Sequence, residues 1–192
     1  MWTEQNEVNF IGKYPLKKGK KLSKCNVTKT FDHWGAQYLI EFDILVERDI
    51  EEDWVNVFHM TDKYNFVRVP SLSIRKSPRD IEFQSCDEKK YIPFNIGRNY
   101  HIEIVQLKTN ILGQTLFGIW IDNELHHVQK IDAIIYEKVY LYLSDPWLPS
   151  FGKYGVLKNL RIIDLERNFW SSKIIKREAM QQSYYQVNFK LI

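Results

Sequence analysis

From Val139 the chain alternates. Val139, Leu141 and Leu143 fall on one side, Tyr140, Tyr142 and Ser144 on the other, and the run halts at Ser144-Asp145-Pro146-Trp147. A side-chain period of two marks a strand with two unlike faces. Pro146 has no N–H for a ladder, so the strand ends there or follows an edge. The pattern recurs. Within Leu39–Val46, Phe42, Ile44 and Val46 point inward and Glu41 and Asp43 outward. Val8–Tyr14, Trp54–Thr61, Val67–Ile74, Tyr100–Gln106, Thr115–Ile121 and Leu125–Val128 read as further strands, and Leu157–Leu160 closes the last unit. Ile81–Phe83 and Lys90–Pro93 bracket a loop that holds Cys86. Many short strands with turn signals every ~8–12 residues predict an all-β, two-sheet antiparallel jelly-roll sandwich. No repeat of 20–50 residues is visible, which argues against a propeller or solenoid.

The 192 residues suffice for one large domain that buries roughly 70% of its unfolded surface without a staple. Aromatic residues make up 15% of the chain, which suits strands. Strand-like segments run to Ile163, so we read 1–163 as the sandwich and 164–192 as an extension. In the extension, Ser171–Gln182 fits a short helix and Tyr184–Leu191 a last strand, packed on the sandwich or on a partner.

Composition excludes several function classes. A net charge of +3 does not imply nucleic acid. No run of ~20 apolar residues exists, so no membrane span is expected. The start, Met1–Asn6, has neither a basic nor an apolar leader segment, so no signal peptide is expected in this chain. Cys25 and Cys86 fit one disulfide or two buried thiols, a choice set by Cα separation. Asn26-Val27-Thr28 is a glycosylation sequon, a vote for secretion.

Trp34 before the Leu39–Ile44 strand, Asn56-Val57-Phe58-His59-Met60-Thr61, Arg68-Val69-Pro70, Tyr100–Gln106, Phe117–Asn123 and the Ser144–Trp147 corner follow one another in order. This order resembles the concanavalin A-like lectin/glucanase superfamily in its laminin-G-like branch, and within it a module of invertebrate extracellular proteins. The likeness spans roughly Thr30 to Ile163. Asn123 stands where that module's hairpin has glycine, and asparagine tolerates the same left-handed backbone. The resemblance implies two antiparallel sheets, one concave, a binding role, and an extracellular or cell-surface setting. It transfers no ligand, because the fold hosts lectins, hydrolases and protein-binding domains alike.

Catalytic motifs are absent: no Gly-x-Ser-x-Gly, no His-Glu-x-x-His, no phosphate loop. Glu41 and Glu47 lie ~20 Å apart on one strand, too far for a glycosidase pair; Glu41 and Asp43 could meet but also read as a solvated face. On a regular strand Val55, Val57, His59 and Thr61 share a face opposite Trp54, Asn56, Phe58 and Met60. Asn56 is then a structural hydrogen-bonding group or a ligand contact. His59 and Thr61, with Glu41, Asp43, His101 and Glu103, are expected to line one polar sheet face suited to sugar hydroxyls. Trp120 and Trp147 are the aromatic candidates for stacking, or else core residues. Asp145 is a candidate calcium ligand at the rim, or a turn cap. Lys17, Lys18, Lys20 and Lys21 are a candidate anion-binding cluster, with Lys173, Lys176 and Arg177 as further cations, or a solvated loop. The resulting expectation is a non-catalytic module that binds a glycan. A protein-interaction or assembly domain, including a homo-oligomer, is the alternative, and a glycoside hydrolase the third reading.

Overall fold

The computed structural model describes residues 8–10, 27–62, 67–85, 88–108, 114–132, 134–143, 153–165, 178 and 180. Twelve strands are described: β1 (Val8–Phe10), β2 (Lys29–Phe31), β3 (Tyr38–Val46), β4 (Trp54–Asp62), β5 (Arg68–Arg75), β6 (Asp80–Ser85), β7 (Glu88–Pro93), β8 (Asn99–Lys108), β9 (Thr115–Ile121), β10 (Glu124–Ile131), β11 (Val139–Tyr142) and β12 (Gly155–Asp164). They form two antiparallel six-stranded sheets. Sheet A runs β1-β12-β3-β8-β9-β10, and sheet B runs β2-β11-β4-β5-β6-β7. The two-sheet sandwich expected from the alternation is therefore present. Alternation missed β2 and understated β6 and β7, which are short and mostly polar.

The core forms where the inward faces meet. β3 shows the rule: Tyr38, Ile40, Phe42, Ile44 and Val46 are buried, and the residues between them are half-buried. Phe42 of sheet A meets Phe58 of sheet B edge to face, with ring centroids 5.6 Å apart. Phe31, Trp34 and Tyr38 continue the aromatic column at 5.0 and 5.1 Å. Such offset or tilted contacts suit the ring quadrupoles, and each buried side chain contributes about 1.5–3 kcal/mol. Trp34 is fixed by a two-way backbone bridge to Tyr136, which ties the β2–β3 and β10–β11 connections together.

The β9–β10 hairpin turns through Asp122 and Asn123, with φ of 52° and 69°. Two consecutive left-handed residues define the tight turn that matches strand twist, and Asp and Asn adopt it at low cost. Asn123 thus occupies the left-handed backbone expected of it.

A second apolar cluster lies on the outward side of sheet A. Val105, Leu107, Leu116, Trp120, Ile163 and Leu165 gather there, and Met180 packs onto them. Gly118 makes this possible: a Cβ at that position would stand 2.7 Å from the Trp120 ring and 2.9 Å from Met180 Cε. Of the extension, Glu178 and Met180 are helical; the remainder of the expected helix and last strand lies outside the described residues.

Candidate functional site

β4 departs from strict alternation, and that departure builds the site. Asn56 pairs with Ser73 while Phe58 pairs with Leu72, so Val57 is an extra residue opposite none. This β-bulge re-aims the following side chains. A second irregularity sits between His59 and Thr61, opposite Val69 and Pro70. Phe58 and Met60 consequently point into the core, and Asn56, His59 and Thr61 all lie on the outward face. Strict alternation had set Asn56 opposite the other two.

Register then aligns polar rows across sheet B. Tyr140, Thr61 and Arg68 form one row; Tyr142, His59, Ser71, Gln84 and Lys89 form the next. Asn56, Ser73, Glu82 and Tyr91 follow, then Trp54, Arg75 and Asp80. This face has two depths. Asn56, His59 and Thr61 are closed, at 1%, 0% and 0% exposure. Trp54, Arg68, Arg75, Gln84 and Tyr140 are half-buried, and Lys89 and Tyr91 are exposed. Asn56, His59 and Thr61 are thus the floor of the face, and their accessible neighbours form its solvent-facing layer.

The floor is a hydrogen-bond system with capacity to spare. The Asn56 amide nitrogen donates toward the Phe58 and Leu72 carbonyls and Ser73 Oγ, at 3.4, 3.3 and 3.2 Å, bridging the bulge it adjoins. Arg68 Nη1 donates to His59 Nε2 at 2.8 Å, so the imidazole proton resides on Nδ1. Burial and the Arg68 charge push the His59 pKa down to about 3, so the ring is neutral at physiological pH. Asn56 Oδ1, Thr61 Oγ1 and Glu82 Oε2 are buried with no hydrogen-bond partner among the described residues. Each such oxygen costs about 1–3 kcal/mol unless another group meets it.

The accessible end is an aromatic platform. The Arg75 guanidinium lies 4.0 Å from the Tyr91 ring centroid and 5.3 Å from that of Trp54. Asp80 fixes it by a two-pronged pair at 2.7 and 2.6 Å. This pair, with the ring contacts, locks the rotamers of three large side chains on one surface. Burial and the neighbouring Glu82 carboxylate push the Tyr91 phenol above its usual range, so it stays a neutral hydrogen-bonding group.

Sheet A carries the other expected residues, and the two sets do not share a face. Glu41, Asp43, His101 and Glu103 lie on β3 and β8, in the opposite layer from His59 and Thr61. The expected single polar face is therefore two faces: their common period of two did not tell which sheet each strand joins. On sheet A the polar groups are paired off. His101 Nδ1 meets Asp43 Oδ1 at 2.8 Å, Asn159 donates to the other Asp43 oxygen, and Arg161 holds Glu41 at 2.8 Å. Glu103 opposes both Glu41 and Trp120. Trp120, 6% exposed, belongs to the apolar cluster under Met180 and is not brought to the sheet-B platform.

Trp147, Asp145, the Lys17, Lys18, Lys20 and Lys21 cluster, Lys173, Lys176, Arg177, Cys25 and Cys86 lie outside the described residues. Among the described residues no three His, Cys, Asp or Glu side chains come together as a metal-binding group, and no helix is long and apolar enough to cross a membrane. Alternation missed Trp54, Arg75, Glu82, Gln84, Lys89 and Tyr91. Their one signal was the Trp54-to-Asn56 spacing; the pairing with β5–β7 is a tertiary matter.

No protein-family model and no curated protein matches the chain. Among solved structures, Trypanosoma rangeli sialidase in complex with sialic acid superposes with a TM-score of 0.53 at 10% identity, over 77% of this chain and 23% of that one. Another structure of the Trypanosoma rangeli sialidase gives 0.51 at 13% identity, over 77% and 23%. A carbohydrate-binding module from Bacillus subtilis gives 0.41 at 12% identity, over 71% and 78%. The chain spans about a quarter of the sialidase's length. At such identities the sialidase likeness is one of fold, and the fold is the β-sandwich.

Proposed function

We propose that this chain is a non-catalytic recognition module that binds a saccharide on the outward face of sheet B. The observation that carries the reading is the platform: Trp54 and Tyr91 clamped about Arg75, beside a floor in which the Asn56 and Thr61 oxygens have no partner among the described residues. Sugars present apolar C–H faces that stack on aromatic rings, and hydroxyls that need planar, fixed hydrogen-bonding groups. Tyr91 supplies the ring, and the accessible Gln84 and Lys89 supply polar groups in adjacent register. Asn56, His59 and Thr61 support that surface from beneath. The laminin-G-like placement and the extracellular or cell-surface setting belong to this proposal, on the strength of motif order.

A glycan array probed with the full chain, followed by titration of the best saccharide, tests it. Binding that Tyr91→Ala weakens about tenfold supports the reading, and a blank array overturns it. A calcium dependence involving Asp145 is a separate proposal, tested by repeating the array with chelator: binding that survives removes it.

A second reading, protein interaction or assembly, is favoured by one observation. Ile134 and Ile135 are 51% and 58% exposed on a connection whose Tyr136 is bridged to Trp34 by two backbone hydrogen bonds. Sedimentation showing a concentration-independent monomer, unchanged by Ile135→Asp, would count against self-assembly through this tip.

A further inference from the structure

At the strand-end rim, the β3–β4 connection, the β5–β6 turn and the segment after β7 line a small cleft that is open to solvent. Ile50 and Phe94, each 5% exposed, give it apolar lining. Its charged lining is Arg48, Arg75, Lys76 and Arg79 against Asp49, four cations to one carboxylate.

The three walls are sewn together by backbone hydrogen bonds. Lys76 N–H donates to the Asp53 carbonyl at 3.1 Å, Phe94 N–H to Arg79 at 3.4 Å, and Gly97 N–H to Val46 at 2.8 Å. The backbone segments that carry the cations are therefore held together before any ligand arrives, which lowers the ordering cost of binding.

The charges are unequally satisfied. Arg75 is neutralised by Asp80. Arg79 pairs with Asp49, but their side chains are 50% and 74% exposed, so water screens the pair and an incoming anion can replace it. Lys76 donates to the neutral Glu51 carbonyl at 3.0 Å and makes no ion pair within 4 Å among the described residues. Arg48 makes no hydrogen bond to a described residue. Glu51, whose carboxylate feels both Arg48 and Lys76, is itself bound by Lys153.

Arg75 also joins the cleft to the platform, because it lines the one and stacks in the other. We infer that the saccharide bound on sheet B is acidic, with its carboxylate or sulfate seated in the rim cleft between Arg48, Lys76 and Arg79. Guanidinium groups present a fixed fork that matches the oxygens of either group. This inference rests on the saccharide reading above.

Calorimetric titration of the full chain with three oligosaccharides of equal length tests it: one sulfated, one bearing uronic acid carboxylates, and one neutral. Inorganic sulfate is the fourth probe. The wild type is expected to bind at least one acidic oligosaccharide ten times more tightly than the neutral one, and the two acidic arms tell which group is recognised. The Arg48→Gln/Arg79→Gln double variant, both positions being exposed, should bring acidic binding down to the neutral level and leave neutral binding unchanged. Tyr91→Ala should weaken all three alike.

A double variant that keeps the preference overturns the cleft assignment while the platform reading stands. A Tyr91→Ala variant that binds acidic oligosaccharides as the wild type does overturns the platform reading and this inference with it. Sulfate bound as tightly as any oligosaccharide marks an adventitious ion only, which also overturns it. Circular-dichroism melts of both variants establish that each is folded.

Discussion

The outward faces of the two sheets start from the same alternating pattern and end in opposite states. On sheet A one half is apolar and closed by Met180 over Trp120, and the other half is a set of satisfied pairs, Asp43 with His101 and Asn159, Glu41 with Arg161. On sheet B buried oxygens of Asn56, Thr61 and Glu82 find no partner among the described residues, and an aromatic pair stands at the edge of that floor. A face whose polar groups are matched internally has no free energy to gain from a ligand. On sheet B half-buried and exposed groups, among them Trp54, Gln84, Lys89 and Tyr91, stand above the closed floor where a ligand can meet them. That difference is the reason the proposal above sets recognition on sheet B and not on sheet A.

Trp120→Ala gives the sharpest test of the structural role. It should cost about 3–5 kcal/mol in denaturant unfolding, since it empties a buried ring site under Met180. Saccharide affinity of the folded fraction should not change; a parallel loss of affinity would break the division between the faces.

The floor of sheet B should show itself through pH. His59 has a folded-state pKa of about 3 against an ordinary value of 6.5. The unfolded state therefore binds the proton first as pH falls. Stability is full above about 6.5 and is lost progressively toward 3, by at most about 1.4 kcal/mol per pH unit. Melting temperatures across that range should fall in the wild type, and His59→Gln should flatten the slope.

Tyr91→Ala should reduce saccharide affinity by about 1.4 kcal/mol, tenfold, with little change in melting temperature because the ring is 38% exposed. Thr61→Val removes a buried oxygen that has no partner among the described residues, at nearly constant volume. It should raise stability by about 1 kcal/mol, read as a higher denaturation midpoint, and any accompanying loss of affinity would show that the floor serves binding at the expense of stability. The smallest effect belongs to Asp43→Asn. Its partners are partly exposed, so the change should cost about 0.5 kcal/mol and leave binding intact. A large loss of binding there would move the site to sheet A.

Much of the architecture was legible in the chain. The alternation of Tyr38–Val46 is strong because that strand buries one face and half-exposes the other, so inward and outward residues could be told apart without coordinates; in Asn99–Lys108 both faces are buried from Ile102 to Leu107, and only the residue types alternate at its start. The turn at Asp122–Asn123 was legible because only a few residue types tolerate left-handed backbone. The identity of Asn56, His59 and Thr61 as unusual polar groups was also legible, from their place among large apolar neighbours.

Other matters were decided only by tertiary structure. Period-two patterning says that a side chain points in or out, and it carries no information about which sheet a strand joins. His59 and His101 therefore looked alike in sequence and stand in opposite layers. The extra residue at Val57 shifts the register by one, a change that depends on hydrogen bonding to β5 and leaves no mark in composition. The Trp54–Arg75–Tyr91 platform joins residues from three strands, and the rim cleft joins three connections. Neither is a motif, because the contacts that make them are set by long-range pairing rather than by spacing along the chain.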